Sequence, residues 1–307
     1  MKKVFIDGSA GTTGLKIYTR LSERKDLSFI RLSDELRKDP AARKDAMNQA
    51  DLVFFCLPDA AAVESCSLLD NPDTVIIDTS TAHRIAPDWT YGFAELGGRR
   101  EAIKTAKRIA NPGCHASGFL ALVAPLVEKG LLSADAKLSC YSLTGYSGGG
   151  NKMIAQYEAE GRDPLLDAPR VYGISQSHKH LPEMTKLAGL NTAPIFSPIV
   201  ADFFSGMETV VSLFGDEVKG GIKALSEFYA DYYQEGLVKF VPQADEGGFL
   251  SSCRYAEKDS MEISVQGNED RILLVSRFDN LGKGACGAAI QNMNLSLGVP
   301  ELTGLNV

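Results

Sequence analysis

Residues 4–14 read VFIDGSAGTTG, and this stretch decides the fold predicted for the first part of the chain. Its three apolar residues predict a short strand, which a glycine-rich turn follows. A helix is predicted next, because Leu15, Tyr18 and Leu21 share one face at helical spacing. A strand, a glycine turn and a helix in this order are typical of a βαβ unit that binds a nucleotide.

The glycine turn is predicted to hold a dinucleotide. Its spacing is GxxGxxG rather than the commoner GxGxxG, and alone it would also suit a plain tight turn. Its place after the first strand favours binding, because backbone N–H groups there approach a pyrophosphate at a helix N-terminus. The turn residues that we expect at the cofactor are Gly8, Ala10, Gly11, Thr12, Thr13 and Gly14.

Further apolar strands alternate with helical stretches. Strands are predicted over 27–32, 52–57 and 75–78, and helices over 39–50 and 60–69. Alternating strands and helices predict an α/β fold with a doubly wound parallel sheet of the Rossmann type.

The end of the second strand bears on the choice of cofactor. An NAD enzyme usually places an acidic residue there to bind the ribose 2′-hydroxyl. Here the strand ends Arg31-Leu32-Ser33, and Arg37 and Lys38 follow. A hydroxyl and guanidinium groups suit a 2′-phosphate, so we predict NADP, bound by Ser33 and Arg37. If the strand ends one residue later, Asp34 occupies the acidic position and NAD is favoured.

Two loops follow predicted strands at the edge where such sheets bind ligands. In the first, Leu57 and Pro58 are expected to wall the cofactor channel. In the second, residues 78–84, Ser80 is expected to contact cofactor or substrate. The alternative for either loop is an ordinary connection between a strand and the next element, without ligand contact.

Residues 111–118 contain the one cysteine, among six, whose setting favours reactivity. Pro112 and Gly113 force a turn directly before Cys114. An apolar helical run over 116–127 follows, which puts Cys114 at a helix N-terminus. Unpaired N–H groups and the helix dipole favour the reactive thiolate there. The alternative is a buried structural cysteine.

Composition excludes several classes of function. The chain has 307 residues with a formal net charge of −7 and no long run of one sign, which argues against nucleic-acid and anionic-membrane surfaces. The apolar part of residues 1–6 is too short for a signal peptide, and no apolar run approaches the roughly 20 residues of a membrane span. The cysteines have no paired spacing, so we expect reduced thiols and a cytoplasmic protein.

The second half has longer predicted strands and fewer helices. This predicts an α+β domain with an antiparallel sheet and helices on one face. His178 and His180 are two apart, so on a strand they would share one face. A metal site lacks a third ligand of suitable spacing, so we favour an acid/base role for the pair in the chemistry of Cys114. The alternative is a polar surface loop. Asn292 lies in a closing apolar helix, where it could bind a carboxamide or be a satisfied buried amide.

Together these features resemble the N-acetyl-gamma-glutamyl-phosphate reductase family of arginine biosynthesis, in its shorter (type 2) form. The likeness covers essentially the whole chain. Its most specific pieces are Asn111-Pro-Gly-Cys114, His178-Lys-His180-Leu-Pro-Glu183, Asp78-Thr-Ser-Thr-Ala-His-Arg84 and Gln291-Asn-Met-Asn294. Aspartate-semialdehyde dehydrogenase has a related plan and is the alternative.

The resemblance implies two domains: a dinucleotide-binding domain over 1–113 and 283–307, and a catalytic and oligomerisation domain over 114–282. It implies NADPH-dependent reduction of an acyl phosphate, N-acetyl-gamma-glutamyl phosphate, through a thioester on Cys114. The base falls in the pair of His178 and His180, which stays open, although His180 is favoured. A homodimer or homotetramer is implied, formed through the second sheet. Cofactor contact is also expected from Asn292, and substrate contact from Asn111, Arg84, Ser147, Gly148 and Glu183.

Overall fold

A computed structural model describes all 307 residues. The chain divides into two compact units and crosses from one to the other several times. The first unit contains Met1–Ala94, Gly98–Pro112 and Ala285–Leu305, and the second contains Glu95–Gly97, Gly113–Gly284 and Asn306–Val307.

The first unit has a sheet of six parallel strands in the order β2-β1-β3-β4-β6-β5. The strands are β1 (Lys2–Asp7), β2 (Leu27–Ile30), β3 (Leu52–Phe55), β4 (Val75–Asp78), β5 (Thr90–Tyr91) and β6 (Arg108–Ala110). The helices are α1 (Thr12–Leu21), α2 (Pro40–Gln49), α3 (Asp59–Leu68), α4 (Arg99–Thr105) and α9 (Gly287–Leu297).

Both faces of this sheet are covered, because successive side chains of its apolar strands point to opposite sides. Ile6 and Phe54 pack in a core with α1 and α9, and Phe5 and Phe55 pack in a second core with α2 and α3. The predicted doubly wound parallel sheet is therefore confirmed. The second and third strands are shorter than predicted and end at Ile30 and Phe55.

The second unit has a seven-stranded sheet in the order β11-β12-β13-β10-β7-β9-β8. The strands are β7 (Ser139–Gly145), β8 (Arg170–Val171), β9 (Ile195–Ala201), β10 (Met207–Phe214), β11 (Val238–Phe240), β12 (Met261–Gly267) and β13 (Arg271–Phe278). The helices are α5 (Cys114–Glu128), α6 (Gly150–Tyr157), α7 (Leu181–Ala188) and α8 (Gly221–Tyr232).

The α+β character of this unit is confirmed, but the antiparallel sheet is wrong in detail. The sheet is mixed, because β7 pairs with β9 and β11 pairs with β12 in parallel. The long connection between β7 and β9 contains helices, which gives the chain room to cross over.

Helix α5 packs against the centre of this sheet. Gly118 makes the close approach possible, since a Cβ there would overlap Thr209 Oγ1 and lie 2.8 Å from Ser276 Oγ. None of the helices in either unit is both long enough and apolar enough to cross a membrane.

Candidate active site

A cleft of about 900 Å³ opens in the first unit beside the glycine turn. Six of the predicted cofactor residues line it: Gly8, Ala10, Gly11, Arg37, Leu57 and Pro58. Gly8 has a φ of 90°, and a Cβ there would overlap the Cys56 carbonyl oxygen. Only glycine suits that position.

The N-terminus of α1 follows the turn directly. Gly11 is the N-cap, and Thr12 and Thr13 form the first turn of the helix with Gly14. A Cβ on Gly14 would lie 2.5 Å from the Gly8 carbonyl oxygen, so glycine is required for the tight return of the chain. The first N–H groups of α1 have no helical acceptor, which suits them to an anion.

The segment that follows β2 contributes three basic side chains and one acidic side chain to the lining of the cleft, namely Arg31, Arg37, Lys38 and Asp34. The Arg31 guanidinium stacks 4.3 Å above the centroid of the Tyr18 ring. Arg37 Nε is 3.7 Å from Asp34 Oδ1, so that acidic group has a basic neighbour. Ser33 is not among the lining residues, and its carbonyl accepts the N–H of Arg37.

A buried ion pair that the sequence did not reveal supports the glycine turn. Asp7, the last residue of β1, accepts from Arg43 of α2 at 2.8 Å, and both side chains are buried. Ser65 of α3 also donates to Asp7, at 3.2 Å. The pair fixes the end of β1 just before Gly8. Arg43 also lines the cleft.

The loop after β4 uses its polar groups internally. Ser80 Oγ donates to Asp78 Oδ2 at 2.7 Å, and His83 Nδ1 lies 2.7 Å from the same oxygen. The His83 ring stacks on Trp89 with centroids 4.1 Å apart. Ser80 does not line the cleft, so its predicted cofactor contact has no support from that cavity.

Three of the predicted site residues, Arg84, Asn111 and Asn292, meet just after β6 in the first unit. The buried Arg84 donates to the carbonyls of Asn111 and Thr79, each at 3.1 Å. The Asn111 amide donates to the Ala285 carbonyl, and the Asn292 amide donates to Asn111 Oδ1 and to the Gly92 carbonyl. These contacts hold the chain that leads to Cys114, and the ligand contacts of the three residues remain predictions.

In the second unit, Cys114 is the first residue of the fifteen-residue helix α5, as predicted. Gly113 is the N-cap and has no side chain to cover the first N–H groups of the helix. The buried Glu183, on α7, accepts the Gly113 N–H at 2.9 Å. The carboxylate thereby fixes the residue before the cysteine.

His178 and His180 lie in a turn before α7, not on a strand. His180 is the N-cap of that helix, and its N–H donates to His178 Nδ1 at 3.2 Å. The two rings are 4.8 Å apart between centroids. Burial, and then the charge of Lys179, lower the pKa of His178. His178 therefore accepts a structural hydrogen bond as a neutral imidazole.

His115, the residue after Cys114, packs against both of these histidines. Its buried ring lies 5.7 Å from the His180 ring and 5.8 Å from the His178 ring. It also contacts Tyr172, which the sequence did not single out. These contacts join residues far apart in the chain, so no local pattern indicated them.

The two remaining predicted substrate residues, Ser147 and Gly148, lie in the second unit, as do two further arginines, Arg254 and Arg271. Ser147 is buried and accepts from the Asn280 amide at 3.0 Å, and Gly148 follows it in the same short 3₁₀ turn. Arg271 begins β13, about 23 Å along the strand from Phe278, whereas Phe278 and Cys114 both contact Gly284. Arg271 is therefore remote from Cys114. Arg254 is largely exposed beside Glu246.

Two family models match the chain. The semialdehyde dehydrogenase NAD binding domain matches residues 31–106, and the semialdehyde dehydrogenase dimerisation domain matches residues 114–280. The chain is 46% identical to curated proteins of Brucella ovis and Brucella abortus, over 96% of this chain and 99% of theirs. Each of these proteins is named N-acetyl-gamma-glutamyl-phosphate reductase.

The chain belongs to the N-acetyl-gamma-glutamyl-phosphate reductase family. Its fold is shared more widely. The crystal structure of aspartate semialdehyde dehydrogenase II from Vibrio cholerae, complexed with ASA, aligns with a TM-score of 0.72 at 16% identity over 97% of this chain and 98% of that one.

A structure of aspartate semialdehyde dehydrogenase with NADP from Candida albicans aligns with a TM-score of 0.69 at 13% identity, over 97% of this chain and 99% of that one. At such identities these likenesses concern the fold alone. Membership of the reductase family and the matched domain together establish a nicotinamide-dependent oxidoreductase.

Proposed function

We propose that the chain reduces N-acetyl-gamma-glutamyl phosphate to N-acetylglutamate 5-semialdehyde and phosphate, in arginine biosynthesis. The observation that carries the proposal is the 46% identity, over nearly the whole of both chains, to proteins named for this activity. We assign cofactor binding to the first unit, and catalysis and assembly to the second.

Cys114 is the nucleophile in this proposal. Its thiolate attacks the acyl carbon, a C–S bond forms, and the C–O bond to phosphate breaks so that phosphate leaves with the electron pair. The start of α5 favours this chemistry, because its N–H groups and dipole stabilise negative charge on the sulfur. The same N–H groups suit the oxyanion that forms on the acyl oxygen.

His180 is the proposed acid/base group. It takes the thiol proton before attack and returns that proton to the sulfur when the C–S bond breaks and the aldehyde leaves. His178 is less suited to this part, because its Nδ1 accepts the His180 N–H and its pKa is lowered by burial. Glu183 fixes Gly113 and thus the position of Cys114.

The cofactor is proposed to be NADP, held by the glycine turn and the N-terminus of α1. When bound in reduced form, it supplies a hydride to the thioester carbon. In the lining segment that follows β2, Arg31, Arg37 and Lys38 outnumber the single acidic residue, Asp34, which favours a 2′-phosphate. The stacking of Arg31 on Tyr18 holds one guanidinium in place.

Cofactor choice is tested by kcat/KM with NADPH and NADH. Arg31→Ala should weaken NADPH use at least tenfold and leave NADH use nearly unchanged, since only NADPH carries the 2′-phosphate. Equal loss with both cofactors would assign Arg31 to the adenosine instead. A wild-type enzyme that prefers NADH would contradict the NADP proposal.

A homodimer or homotetramer is proposed to form through the sheet of the second unit. The face opposite α5 exposes large apolar side chains on neighbouring strands, including Tyr141, Ile195, Phe214 and Leu273. Light scattering should give two or four subunits for the wild type and a smaller particle for Ile195→Asp. All six cysteines are free thiols, which suits the reducing cytoplasm that we propose.

The reaction itself is tested in reverse with N-acetylglutamate semialdehyde, phosphate and NADP⁺, by following nicotinamide absorbance. We expect phosphate-dependent reduction that iodoacetamide abolishes. Reduction with aspartate semialdehyde alone would keep the mechanism and assign the other substrate. No reduction with either aldehyde would refute the proposed function.

A further inference from the structure

Four side chains form a hydrogen-bonded row beneath the start of α5. His115 Nε2 is 2.6 Å from the Tyr172 hydroxyl, and His115 Nδ1 is 2.8 Å from Ser142 Oγ. Ser142 Oγ is in turn 2.9 Å from Thr209 Oγ1. Ser142 and Thr209 are fully buried neighbours on β7 and β10. The reaction steps proposed above use none of these groups.

His115 is a connector in this row and not an acid or a base. Burial, and then the proximity of the basic groups His178 and Lys179, lower its pKa to about 3, so the ring is neutral at physiological pH. A neutral imidazole has one N–H and one lone pair, and here each nitrogen has one hydroxyl partner. Both hydroxyls are therefore held at fixed positions.

Tyr172 occupies a fixed place close to Cys114. Its backbone N–H donates to the Pro198 carbonyl at 3.0 Å, and its ring lies 5.8 Å from the His178 ring. His115, which contacts its hydroxyl, directly follows Cys114 in the first turn of α5. Burial, and then the nearby charge of Cys114, raise the pKa of Tyr172, so the phenol keeps its proton.

We propose that Tyr172 donates a hydrogen bond to the reacting groups at Cys114, and that His115 is the positioning residue that holds it there. This inference rests on the proposed thioester mechanism. The phenol stabilises negative charge on the sulfur and on the acyl oxygen and retains its proton throughout. No atom is transferred to or from Tyr172, and the acid/base role stays with His180.

The test compares three variants by two measurements. Tyr172→Phe should lower kcat on the order of a hundredfold, the usual effect of losing one donor at an oxyanion. The pH midpoint for alkylation of Cys114 by iodoacetamide should rise by about one unit, because the thiolate loses a charged hydrogen bond. Alkylation needs no substrate, so this result stands even if the proposed reaction is wrong.

The two substitutions of His115 separate positioning from simple packing. A glutamine amide reaches the place of Nε2 and an asparagine amide the place of Nδ1. His115→Gln should therefore keep the Tyr172 contact and most of the activity, while His115→Asn should behave like Tyr172→Phe. The double variant His115→Asn with Tyr172→Phe should be no worse than Tyr172→Phe alone.

Tyr233→Phe is the matched control, because it removes another buried tyrosine hydroxyl of the same unit, which donates to the Ala121 carbonyl at 2.6 Å. It should lower the melting temperature and leave the alkylation midpoint unchanged. A folded Tyr172→Phe enzyme with normal kcat and a normal midpoint would overturn the proposal. Equal losses in His115→Asn and His115→Gln would reduce His115 to a packing role. Should Tyr172→Phe fail to fold, the alkylation midpoint of His115→Asn decides: a rise supports the proposal, and an unchanged midpoint overturns it.

Discussion

Gly118→Ala tests how closely α5 must approach the sheet of the second unit. Helix propensity alone predicts that alanine stabilises the helix by about 1 kcal/mol. The new Cβ, however, would lie 2.8 Å from both Thr209 Cβ and Ser276 Oγ, and it would overlap Thr209 Oγ1. Thr209 and Ser276 are paired across β10 and β13, so neither can retreat easily.

Overpacking of this kind costs about 1–3 kcal/mol, and the short contacts place Gly118→Ala in the upper half of that range. After the helix gain is subtracted, we expect a net loss of about 1–2 kcal/mol. For a unit of this size that corresponds to a fall in Tm of about 2–8 °C. Because Gly118 lies one turn after Cys114, kcat should also fall as the helix start moves.

Differential scanning calorimetry gives the sign of the change in Tm directly, and the reverse-direction assay gives kcat. A higher Tm in Gly118→Ala would refute the steric argument, since propensity would then outweigh the contacts with the sheet. A lower Tm with unchanged kcat would keep the steric argument but refute the link between helix position and Cys114.

Three further predictions follow from the same contacts. Cys114→Ala should abolish turnover and leave NADPH binding, measured by fluorescence titration, within a factor of two or so of wild type; retained turnover would remove Cys114 from the mechanism. His180→Asn should lower kcat by on the order of a hundredfold or more and His178→Asn by less; the reverse order in steady-state kinetics would exchange their roles. Burial raises the pKa of Glu208 from 4.5 to about 7, so the folded chain retains a proton that the unfolded chain releases, and stability is lost as the pH rises from 4.5 to 7. Glu208→Gln should therefore stabilise the protein by on the order of 1 kcal/mol at pH 8 and by less at pH 5; a Tm difference independent of pH would contradict this assignment.

Local patterns predicted the first unit well. The strand of residues 4–6, the glycine turn and α1 follow one another within 21 residues, and each is specified by its own sequence. The start of α5 at Cys114 was also predicted from neighbouring residues, because Pro112 and Gly113 end the preceding structure.

Predictions that depended on distant pairing were less accurate. The mixed second sheet required knowledge that β7 lies beside β9, a contact across some fifty residues. The two-residue spacing of His178 and His180 would place them on one face of a strand, but they lie in a turn before α7, and the spacing alone does not distinguish these cases. The partners of His115 could not be predicted, because its position on a helix does not reveal that Ser142 and Tyr172 lie beside it.

The same limit applies to the buried polar residues around Asn111. Arg84 was predicted to contact the substrate, whose negative charges need cationic partners, and Asn292 either to contact the cofactor or to be a satisfied buried amide. Within the fold, their N–H groups donate to backbone carbonyls and to Asn111, and their ligand contacts remain predictions. A sequence gives the residue type, but the direction of its hydrogen bonds depends on what the fold brings beside it.

The most direct test of the thioester mechanism is to omit phosphate from the reverse reaction. With N-acetylglutamate semialdehyde and NADP⁺ alone, we expect a burst of one NADPH per Cys114 that then stops, together with an acyl group located on the Cys114 peptide by mass spectrometry. Absence of a burst, or an acyl group on any other residue, would contradict covalent catalysis by Cys114.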